Sequence, residues 1–488
     1  MDIVWVTSEA TPYAKTGGLA DVSASLPVAL AERGHKVSVI MPYYPQAMKE
    51  LTAKAKPILE PVGVPFGDTE NWIQLREDKV NENLSYYFIE FNGFYDRPKL
   101  YDWNGQEYED NAQRYIFFCR AAMQSVMALG LNPDILHTND WHAALCNVYL
   151  KSHLYSDVPT FKKCRSVLSI HNIGYQGVYH KNNMYFTGLG WDYFNHLCLE
   201  FHDQINLLKA GICTADMVST VSPKYAEEIL SEEYGFNLHY SLQHRAAQGK
   251  LRGILNGIDI DEWSPEKDTL IPANFTAENL SGKWECKAEL QKELGLEVRA
   301  DVPLMGIVSR LAYQKGIDVL IPAIENLLVN DDVQFAIIGS GEYWLENALS
   351  DFAARFPEKF RCYIGYNNRL AHMVEAGCDY FLMPSRYEPC GLNQMYSMRY
   401  GTVPIVRATG GLDDTVINFS AKDIDTCTGF KFWDLYPDAV VGTMRWATSV
   451  YHNDKGGFYK MVHNGMTKDF SWEHTATLYE ELYADANR

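Results

Sequence analysis

The sequence contains no Cys-x-x-Cys pair, although ten cysteines are spread between Cys119 and Cys427. This absence argues against a zinc ribbon, a dithiol redox site and the disulfide framework of a small secreted protein. No apolar run is long enough to span a membrane, and the apolar run Ile3–Val6 is too short for a signal peptide. We therefore expect reduced thiols, no membrane association and a chain that begins directly in its fold.

Positive charge is scarce, because 43 Lys and Arg face 62 Asp and Glu, which gives a formal net charge of −19. This balance opposes binding to nucleic acid, so any anionic ligand must meet a local basic pocket. Repeats and low-complexity tracts are also absent. With 488 residues, 47% of them hydrophobic and 22% charged, the chain has the composition of a globular protein with room for two large α/β domains.

Short apolar runs alternate with amphipathic stretches, which predicts buried parallel strands covered by helices. One series runs from residue 3 to 221 and a second from residue 303 to 406, separated by polar and Asn-, Asp- and Pro-rich segments. We predict a doubly wound N-terminal domain over residues 1–250 and a second over 251–456. Residues 457–488 are expected to pack back on the first domain, through a final helix whose apolar face is Trp472, Ala476, Tyr479, Leu482 and Tyr483.

Glycine-rich turns follow several predicted strands, but none has the spacing of a P-loop or a dinucleotide-binding fingerprint. The first, Lys15-Thr16-Gly17-Gly18, lets the backbone approach a ligand closely beside a cation, which suits a phosphate. A tight strand-to-helix turn explains the same residues, and the spacing does not distinguish the two. A weaker turn of this kind contains Gly339, and the run Thr409, Gly410 and Gly411 offers another Gly-rich anion site at a predicted helix start.

Two cations, Arg310 and Lys315, lie five residues apart in a loop that follows the first strand of the second series. They could clamp a diphosphate, or they could be solvated surface charges. After a later strand, Pro389 and Gly391 force a turn that presents Glu388, which could hold a substrate or simply favour a helix start. Cys390 has no neighbouring His in sequence, which disfavours a nucleophile.

Two strand ends in the first series carry Asp and His side chains that could bind sugar hydroxyls. One is Asp140-Trp141-His142, which follows His137, and the other begins at His171. A zinc site is disfavoured because the His spacing does not fit one helical face. Taken by itself, the position of His171 favours a buried core residue over a ligand-binding one. Two Asp-x-Asp sequences, at 259–261 and 423–425, are expected by chance among so many acids.

Together these segments resemble the bacterial glycogen synthases and plant starch synthases, retaining glucosyltransferases of glycosyltransferase family 5 that extend α-1,4-glucan from ADP-glucose. The similarity covers nearly the whole chain, and the conjunction of the motifs is more specific than any one of them. In chain order the motifs are Lys15-x-Gly17-Gly18, Asp140-Trp141-His142, His171-Asn172-x-x-Tyr175-Gln176-Gly177, Asn256–Asp259, Ser309-Arg310 with Lys315-Gly316, and Glu388-Pro389-Cys390-Gly391-Leu392.

The resemblance implies an α/β GT-B fold, in which two Rossmann-like doubly wound domains face each other across a deep cleft. The N-terminal domain would serve the acceptor and the C-terminal domain the nucleotide sugar. Arg310 and Lys315 would neutralise the ADP diphosphate, and Lys15 with the Gly17 and Gly18 amides would close over it. Asp140 and His171 would contact the donor glucose, and Glu388 would hold its hydroxyls. The other donor-binding positions would be Gly339, Cys390, Gly391, Leu392, Thr409, Gly410 and Gly411.

The resemblance also implies a reaction on one face of the sugar without a protein nucleophile, a metal or a cofactor, ADP-glucose being the donor substrate. Related GT-B families carry a second Glu where this chain has Tyr396, which is consistent with the starch synthase branch. The acceptor would be glycogen, starch or malto-oligosaccharides, bound by the catalytic body through some of its 31 Tyr and 11 Trp.

Two alternatives stay open from the residues. One is a GT-B transferase that prefers UDP-glucose, because recognition of the base is not legible in the sequence. The other is an inactive glucan-binding granule protein, against which the joint presence of the implied site residues argues. The resemblance places the enzyme in the cytoplasm of a prokaryote, or in the plastid stroma or on the starch granule of a plastid-bearing eukaryote.

Overall fold

A computed structural model describes residues 1–51, 54–103 and 105–488, and these form two compact units. The first unit comprises Met1–Gly257 and Trp472–Arg488, and the second comprises Ile258–Ser471. The sequence predicts divisions after residues 250 and 456, whereas the units divide after residues 257 and 471. The first division moves because strand Leu251–Gly253 pairs with the first unit's sheet, and the second because helix Lys455–Met466 packs on the second unit.

Among the described residues, the first unit contains a nine-stranded mixed sheet, whose parallel strands are connected by helices, and two small antiparallel sheets of three and two strands. Its strands are β1 (Asp2–Val6), β2 (Lys36–Pro42), β3 (Lys56–Phe66), β4 (Thr69–Lys79), β5 (Leu84–Glu90), β6 (Asp102–Trp103), β7 (Gln106–Glu107), β8 (Ile135–Asn139), β9 (Arg165–Ile170), β10 (Val178–His180), β11 (Glu200–Phe201), β12 (Gln204–Asn206), β13 (Met217–Thr220) and β14 (Leu251–Gly253). Its helices up to residue 257 are α1 (Gly18–Glu32), α2 (Asn92–Tyr95), α3 (Asn111–Ala128), α4 (Asp140–Lys151), α5 (Met184–Thr187), α6 (Leu207–Thr214), α7 (Pro223–Glu228) and α8 (His239–Ala247).

Strand order in this sheet is β14-β13-β9-β8-β1-β2-β5-β4-β3. The strands from β14 to β5 run parallel, and β3 and β4 extend the sheet with antiparallel pairing. The order reverses between β1 and β8, because the chain first proceeds from β1 towards β2 and β5 and then returns to the other side of β1. In open α/β sheets, ligands bind at such a switch point, outside the carboxyl ends of the strands.

The second unit is built on a fully parallel sheet with the order β17-β16-β15-β18-β19-β20, which is the 3-2-1-4-5-6 order of a dinucleotide-binding domain. Its switch point lies between β15 and β18. The strands are β15 (Leu304–Val308), β16 (Gln334–Gly339), β17 (Phe360–Ile364), β18 (Tyr380–Met383), β19 (Val403–Arg407) and β20 (Phe430–Phe432), and the helices are α9 (Ser281–Leu294), α10 (Ile317–Asn330), α11 (Tyr343–Arg355), α12 (Asn368–Gly377), α13 (Asn393–Arg399), α14 (Gly410–Thr415), α15 (Pro437–Asn453) and α16 (Lys455–Met466).

Burial explains why the sequence shows this alternation. Strand β16 is buried along its whole length, so it appears as a continuous apolar run. Helix α10 buries Ile317, Leu320, Ile324 and Leu327, which recur every three or four residues and line one face. The prediction of two doubly wound α/β domains is confirmed. Among the described helices, none combines the length and the apolar character that crossing a bilayer requires.

The last helix, α17 (Trp472–Ala486), belongs to the first unit. The apolar face that the sequence predicts is buried there, and Tyr483 shares a 2.8 Å hydrogen bond with Nδ1 of His137 in the middle of β8. Arg33, directly after α1, binds the carboxylate of Glu480 through two nitrogens at 2.9 and 2.6 Å. This helix therefore completes the cover of the first unit's sheet.

Candidate functional site

Three strand ends at the first unit's switch point carry polar side chains. Glu9 follows β1, Asp140 follows β8 and His171 follows β9. The loop Lys15–Gly18 leads from β1 into α1 and touches Glu9. We call these residues the first-unit cluster; the parallel pairing of the three neighbouring strands explains why residues so far apart in sequence meet at one edge.

The loop Lys15–Gly18 is fixed by two acids. The Thr16 amide donates to Oε2 of Glu9 at 2.5 Å, and its hydroxyl donates to both carboxylate oxygens at 2.9 and 3.0 Å. The Lys15 ammonium is 2.6 Å from Oδ1 of Asp21 and is half-exposed. A cation that stays accessible on a fixed loop is suited to bind an anionic ligand.

Gly17 adopts an extended backbone with φ −156° just before α1. This is a conformation that any residue can adopt. A Cβ built at Gly17 would meet no atom within 4 Å, so packing within the protein does not require glycine here. The open space beside this backbone is consistent with the close approach of a ligand that the sequence suggests.

Asp140 begins α4 with φ +51°, a left-handed conformation that is uncommon for a residue other than glycine. Its buried carboxylate accepts the amide of His171 at 2.7 Å. Burial raises the pKa of Asp140 to about 7, and the charge of Glu9 adds to that rise, while the backbone amides oppose it. A strained backbone and a perturbed carboxyl at a strand end together indicate a functional position.

His171 is half-buried and presents a neutral ring. The side-chain amide of Asn139 donates to the carbonyl of Val6 at 3.1 Å, so its oxygen accepts from Nε2 of His171 at 2.9 Å. Burial lowers the pKa of His171 to about 3. The ring is therefore neutral at physiological pH, with Nδ1 as an acceptor for a hydroxyl proton.

The other two His side chains of these motifs serve packing. His137 is fully buried. Its Nε2 lies 2.7 Å from the Ser169 hydroxyl, and its Nδ1 shares the hydrogen bond with Tyr483 of α17 described above. His142 is buried with its ring 4.0 Å from Trp141 and 4.6 Å from Tyr101, and burial keeps its pKa well below the usual value. His137 and His142 are therefore core residues.

A cavity of about 420 Å³ lies at the second unit's switch point. We call it the second-unit cavity. It opens between the carboxyl ends of β15, β16 and β18, where the loops after these strands converge. Of the residues that the sequence singles out, the second-unit cavity is lined by Arg310, Lys315, Gly339, Glu388, Gly391 and Leu392.

Lys315 and Glu388 form an ion pair inside the second-unit cavity, with Nζ 2.6 Å from Oε2. The same oxygen accepts the Ser385 hydroxyl at 2.9 Å. Glu388 is buried, whereas Arg310 is exposed and donates a 3.3 Å hydrogen bond to Oε1 of Gln314. The cavity thus combines the fixed carboxylate of Glu388 with two cations, Lys315, which is paired with that carboxylate, and Arg310, which is accessible.

The Gly-rich turn after β19 supports Glu388 from behind. The Gly411 amide donates to the carbonyl of Glu388 at 3.1 Å. Gly410 has φ +45°, and a Cβ there would lie 2.0 Å from the same carbonyl, so only glycine fits. Cys390, Thr409, Gly410 and Gly411 are not among the cavity-lining residues, although they adjoin the turn that presents Glu388.

Sequence reasoning did not single out three residues of these sites. Glu9 is a buried acid directly after an apolar strand, and that contrast is the signal that could have found it. Ser385 holds Glu388, and Tyr366 lines the second-unit cavity with a ring that is 81% exposed. A single exposed Tyr carries no signal in sequence, because its position depends on where the strand ends meet.

The Asp-x-Asp sequences engage protein groups. Asp261 pairs with Lys267, and Asp425 lies 3.0 Å from Lys460. Asp259 accepts two backbone amides of the following turn. Over residues 1–51, 54–103 and 105–488, no group of three or more His, Cys, Asp or Glu side chains is arranged to hold a metal ion.

Family models match both units. A model described as the starch synthase catalytic domain matches residues 2–244, and one described as glycosyl transferases group 1 matches residues 293–432. Glycogen synthase 1 of Geobacter metallireducens is 44% identical over 490 residues, which cover 100% of this chain and 96% of that protein. The glycogen synthase of Anaeromyxobacter sp. strain Fw109-5 is 44% identical over 99% of each chain.

Solved structures are similar over the full length. The catalytic domain of starch synthase IV from Arabidopsis thaliana, bound to ADP and acarbose, has a TM-score of 0.88 and 33% identity, covering 99% of each chain. Sucrose-phosphate synthase from Thermosynechococcus elongatus has a TM-score of 0.59 and 18% identity over 99% of this chain and 98% of that one. The second similarity concerns the fold alone.

Proposed function

Because this chain belongs to the family of glycogen synthases and starch synthases, we propose that it transfers glucose from ADP-glucose to the non-reducing end of an α-1,4-glucan, with retention of configuration. The observation that carries the proposal is the Lys315–Glu388 pair beside Arg310, in a cavity at the switch point of a nucleotide-binding sheet. A diphosphate needs cations there, and a sugar needs a fixed carboxylate.

In this proposal the second-unit cavity binds the donor. Arg310 and Lys315 neutralise the diphosphate, and the end of β16 at Gly339 lets the nucleotide approach the backbone. The exposed ring of Tyr366 offers a face for the base. The ADP bound to the Arabidopsis neighbour supports an adenine nucleotide as the leaving group. Cys390, Gly391 and Leu392 form the turn that presents Glu388 to the sugar, and Thr409, Gly410 and Gly411 support that turn.

In this proposal the first-unit cluster also binds ADP-glucose. Lys15 and the amides of Gly17 and Gly18 bind the diphosphate, and the Asp140 carboxylate accepts a hydroxyl of the glucose. The neutral ring of His171 accepts a second hydroxyl proton at Nδ1, which its low pKa keeps available. These contacts supply orientation, which is a large part of the catalysis of a displacement between two bound substrates.

A cavity of about 340 Å³ in the first unit suits the acceptor. It is lined by Trp141, Gln176, Gly177 and the exposed rings of Tyr175 and Phe236. Aromatic faces beside amide groups are suited to the apolar faces and hydroxyl edges of glucose units. Because Trp141 directly follows Asp140, a glucan end held here would lie beside the donor glucose that Asp140 contacts.

The proposed chemistry uses no protein nucleophile. The bond between the anomeric carbon and the diphosphate oxygen breaks, and the acceptor hydroxyl oxygen forms a bond to that carbon on the same face. The hydroxyl proton passes to the leaving diphosphate. Negative charge grows on the diphosphate in the transition state, so Arg310, Lys315 and Lys15 supply the largest share of the rate effect by electrostatic stabilisation. No metal or cofactor takes part in this proposal.

The first test is nucleoside diphosphate release by the purified chain with glycogen as primer, comparing ADP-glucose with UDP-glucose at equal concentration, with and without EDTA. We expect ADP release that persists in EDTA. A preference for UDP-glucose would contradict the donor assignment. The comparison is needed because the cations that bind the diphosphate would serve both donors equally. Absence of release from either donor would favour a glucan-binding protein without activity.

The bacterial relatives and ten free cysteines support a cytoplasmic location.

Gly17→Ala separates a donor-binding role of this loop from a structural one. The extended backbone and the open space at the Cβ position predict an unchanged melting temperature. If the donor approaches this backbone, the added methyl group should raise the KM for ADP-glucose by about tenfold or more, since displaced contacts with a charged ligand are worth 1.5–3 kcal/mol. Steady-state kinetics and a thermal melt check this. An unchanged KM would show that the donor does not approach Gly17.

A further inference from the structure

The mechanism proposed above leaves one buried carboxylate of the first-unit cluster unused. We propose that Glu9 is a positioning residue that holds the loop Lys15–Gly18 in the conformation that binds the donor diphosphate. The inference rests on the proposed function, because it assigns to this loop a contact with ADP-glucose. Glu9 itself is 4% exposed and acts through Thr16, so it is not a catalytic residue.

Glu9 is itself firmly anchored after β1. The Thr7 hydroxyl donates to the Glu9 carbonyl at 2.9 Å and accepts the Ser23 hydroxyl at 3.0 Å. Ser23 in turn accepts the indole N–H of Trp5 at 3.1 Å. All four of these residues are buried. A chain of buried hydrogen bonds therefore leads from the sheet to the backbone of Glu9, whose carboxylate binds Thr16.

The ring of contacts to Thr16 needs an ionised carboxylate. Thr16 offers both its amide and its hydroxyl as donors, and an ionised carboxylate accepts from both. Exposed loops that lead into helices have few other constraints: Lys15, Thr16, Gly17 and Gly18 are all exposed. Without the grip of Glu9, the loop would exchange between conformations, and its amides and the Lys15 ammonium would lose their common orientation.

Other titratable and polar groups face Glu9 from each element around it. The Thr16 and Gly17 amides and the hydroxyls of Thr16 and Tyr101 favour the charged carboxylate, but burial dominates and raises the pKa of Glu9 to about 7. From the β8 side Asp140 faces it, and the charge of Glu9 raises the pKa of Asp140. Acidification through pH 7 should therefore release the loop and protonate Asp140 over the same range.

Two substitutions test the grip from its two ends. Glu9→Gln keeps the shape but replaces one acceptor oxygen by a donor, and Thr16→Val keeps the shape but removes the hydroxyl. We expect each to raise the KM for ADP-glucose on the order of 10- to 100-fold, the scale of a misplaced binding group. The KM for glycogen should stay near that of the wild type. Thr16→Ser keeps the hydroxyl that Thr16→Val lacks, so its KM for ADP-glucose should stay close to that of the wild type.

Hydrogen exchange supplies a measurement that does not need activity. In Glu9→Gln and Thr16→Val, amides of residues 10–20 should exchange faster than in the wild type, with unchanged exchange in the β1 strand. Glu375→Gln is the matched control, because Glu375 is a buried carboxyl of the second unit that accepts a hydroxyl, that of Ser397, at 2.6 Å, and burial raises its pKa to about 8. It reports the general cost of altering a buried acid.

The pH profile distinguishes positioning from a purely structural role. Removing the charge of Glu9 lowers the pKa of Asp140, so the acid limb of kcat/KM for ADP-glucose should move to lower pH in Glu9→Gln. Unchanged donor KM together with unchanged exchange in Thr16→Val overturns the inference, even if Glu9→Gln fails to fold. A wild type that releases no nucleotide contradicts the proposed function instead, and exchange then still decides whether Glu9 holds the loop.

Discussion

Glu388→Ala is expected to lower kcat on the order of 100- to 1,000-fold, the range measured when one preorganised electrostatic group is removed from an active site. Two features predict so large a loss. Glu388 is the buried carboxylate of the second-unit cavity, and its Oε2 lies 2.6 Å from Lys315. Its removal would take away the proposed partner of the sugar hydroxyls and also free the ammonium that neutralises the diphosphate.

The fold should survive this change. The Gly411 amide holds the turn through the backbone carbonyl of Glu388, and this contact does not need the Glu388 side chain. The Lys315 side chain is 19% exposed and lines the cavity. A destabilisation of about 1–3 kcal/mol is expected for the unpaired Lys315. Glu388→Gln keeps the volume and should show nearly the same loss of kcat with a smaller change in the melting temperature.

Asp379→Asn is the matched control for Glu388. Asp379 forms a buried pair with Lys287 at 2.7 Å in the same unit, but it precedes β18 and so lies at the opposite end of that strand from Glu388. This variant should lower the melting temperature and leave the kinetics with ADP-glucose unchanged. If Glu388→Ala retains full turnover with a normal melt, Glu388 has no part in the mechanism.

Lys15→Ala is expected to remove most of the turnover, on the order of 100-fold, because Lys15 is the proposed first-unit cation at the leaving diphosphate. Its only ion pair among the described residues is with Asp21, and the Lys15 side chain is 54% exposed. Exposed pairs of this kind contribute about 0–1 kcal/mol to stability, so the fold should be retained. The difference in turnover between the wild type and Lys15→Ala should shrink as the salt concentration is raised, because screening weakens the interaction of Lys15 with the diphosphate in the wild type.

Lys181→Ala is the control for Lys15. Lys181 pairs with Asp203 at 2.7 Å in the same unit and is also partly exposed, but it lies in neither site described above. ADP release and thermal melts of both variants decide the question. Equal turnover for Lys15→Ala and Lys181→Ala, with normal melts, would remove Lys15 from the mechanism.

The polar strand ends were predictable because parallel strands buried on both faces leave a strong apolar signal. Such runs mark β1, β8, β9, β15 and β18. The candidate residues Asp140, His171, Arg310 and Glu388 follow the last four of these strands in chain order. The sequence could not predict the antiparallel strands β3 and β4 with the same ease. Most of their residues are exposed or partly buried, so no continuous apolar run marks them.

Contacts between distant residues were beyond the sequence. Nothing in the sequence around Glu9 reveals that its carboxylate accepts from Thr16, since the turn between them depends on backbone hydrogen bonds such as that from the Thr11 amide to the Ala20 carbonyl. The Lys315–Glu388 pair joins residues 73 positions apart. Each residue is a candidate from its own strand end, but nothing in the sequence predicts an ion pair between them.

By itself, the sequence determined the two α/β domains, the strand-end position of the candidate residues and the family to which the motifs belong, because hydrophobic periodicity and turn residues are local properties. Only the tertiary structure decided which strand ends are neighbours. The order reverses between β1 and β8 and again between β15 and β18, and these reversals bring Glu9 and the Lys15 loop to Asp140, and Lys315 to Glu388. Strand order depends on how helices pack on both faces of each sheet, and that packing involves residues far apart in the chain.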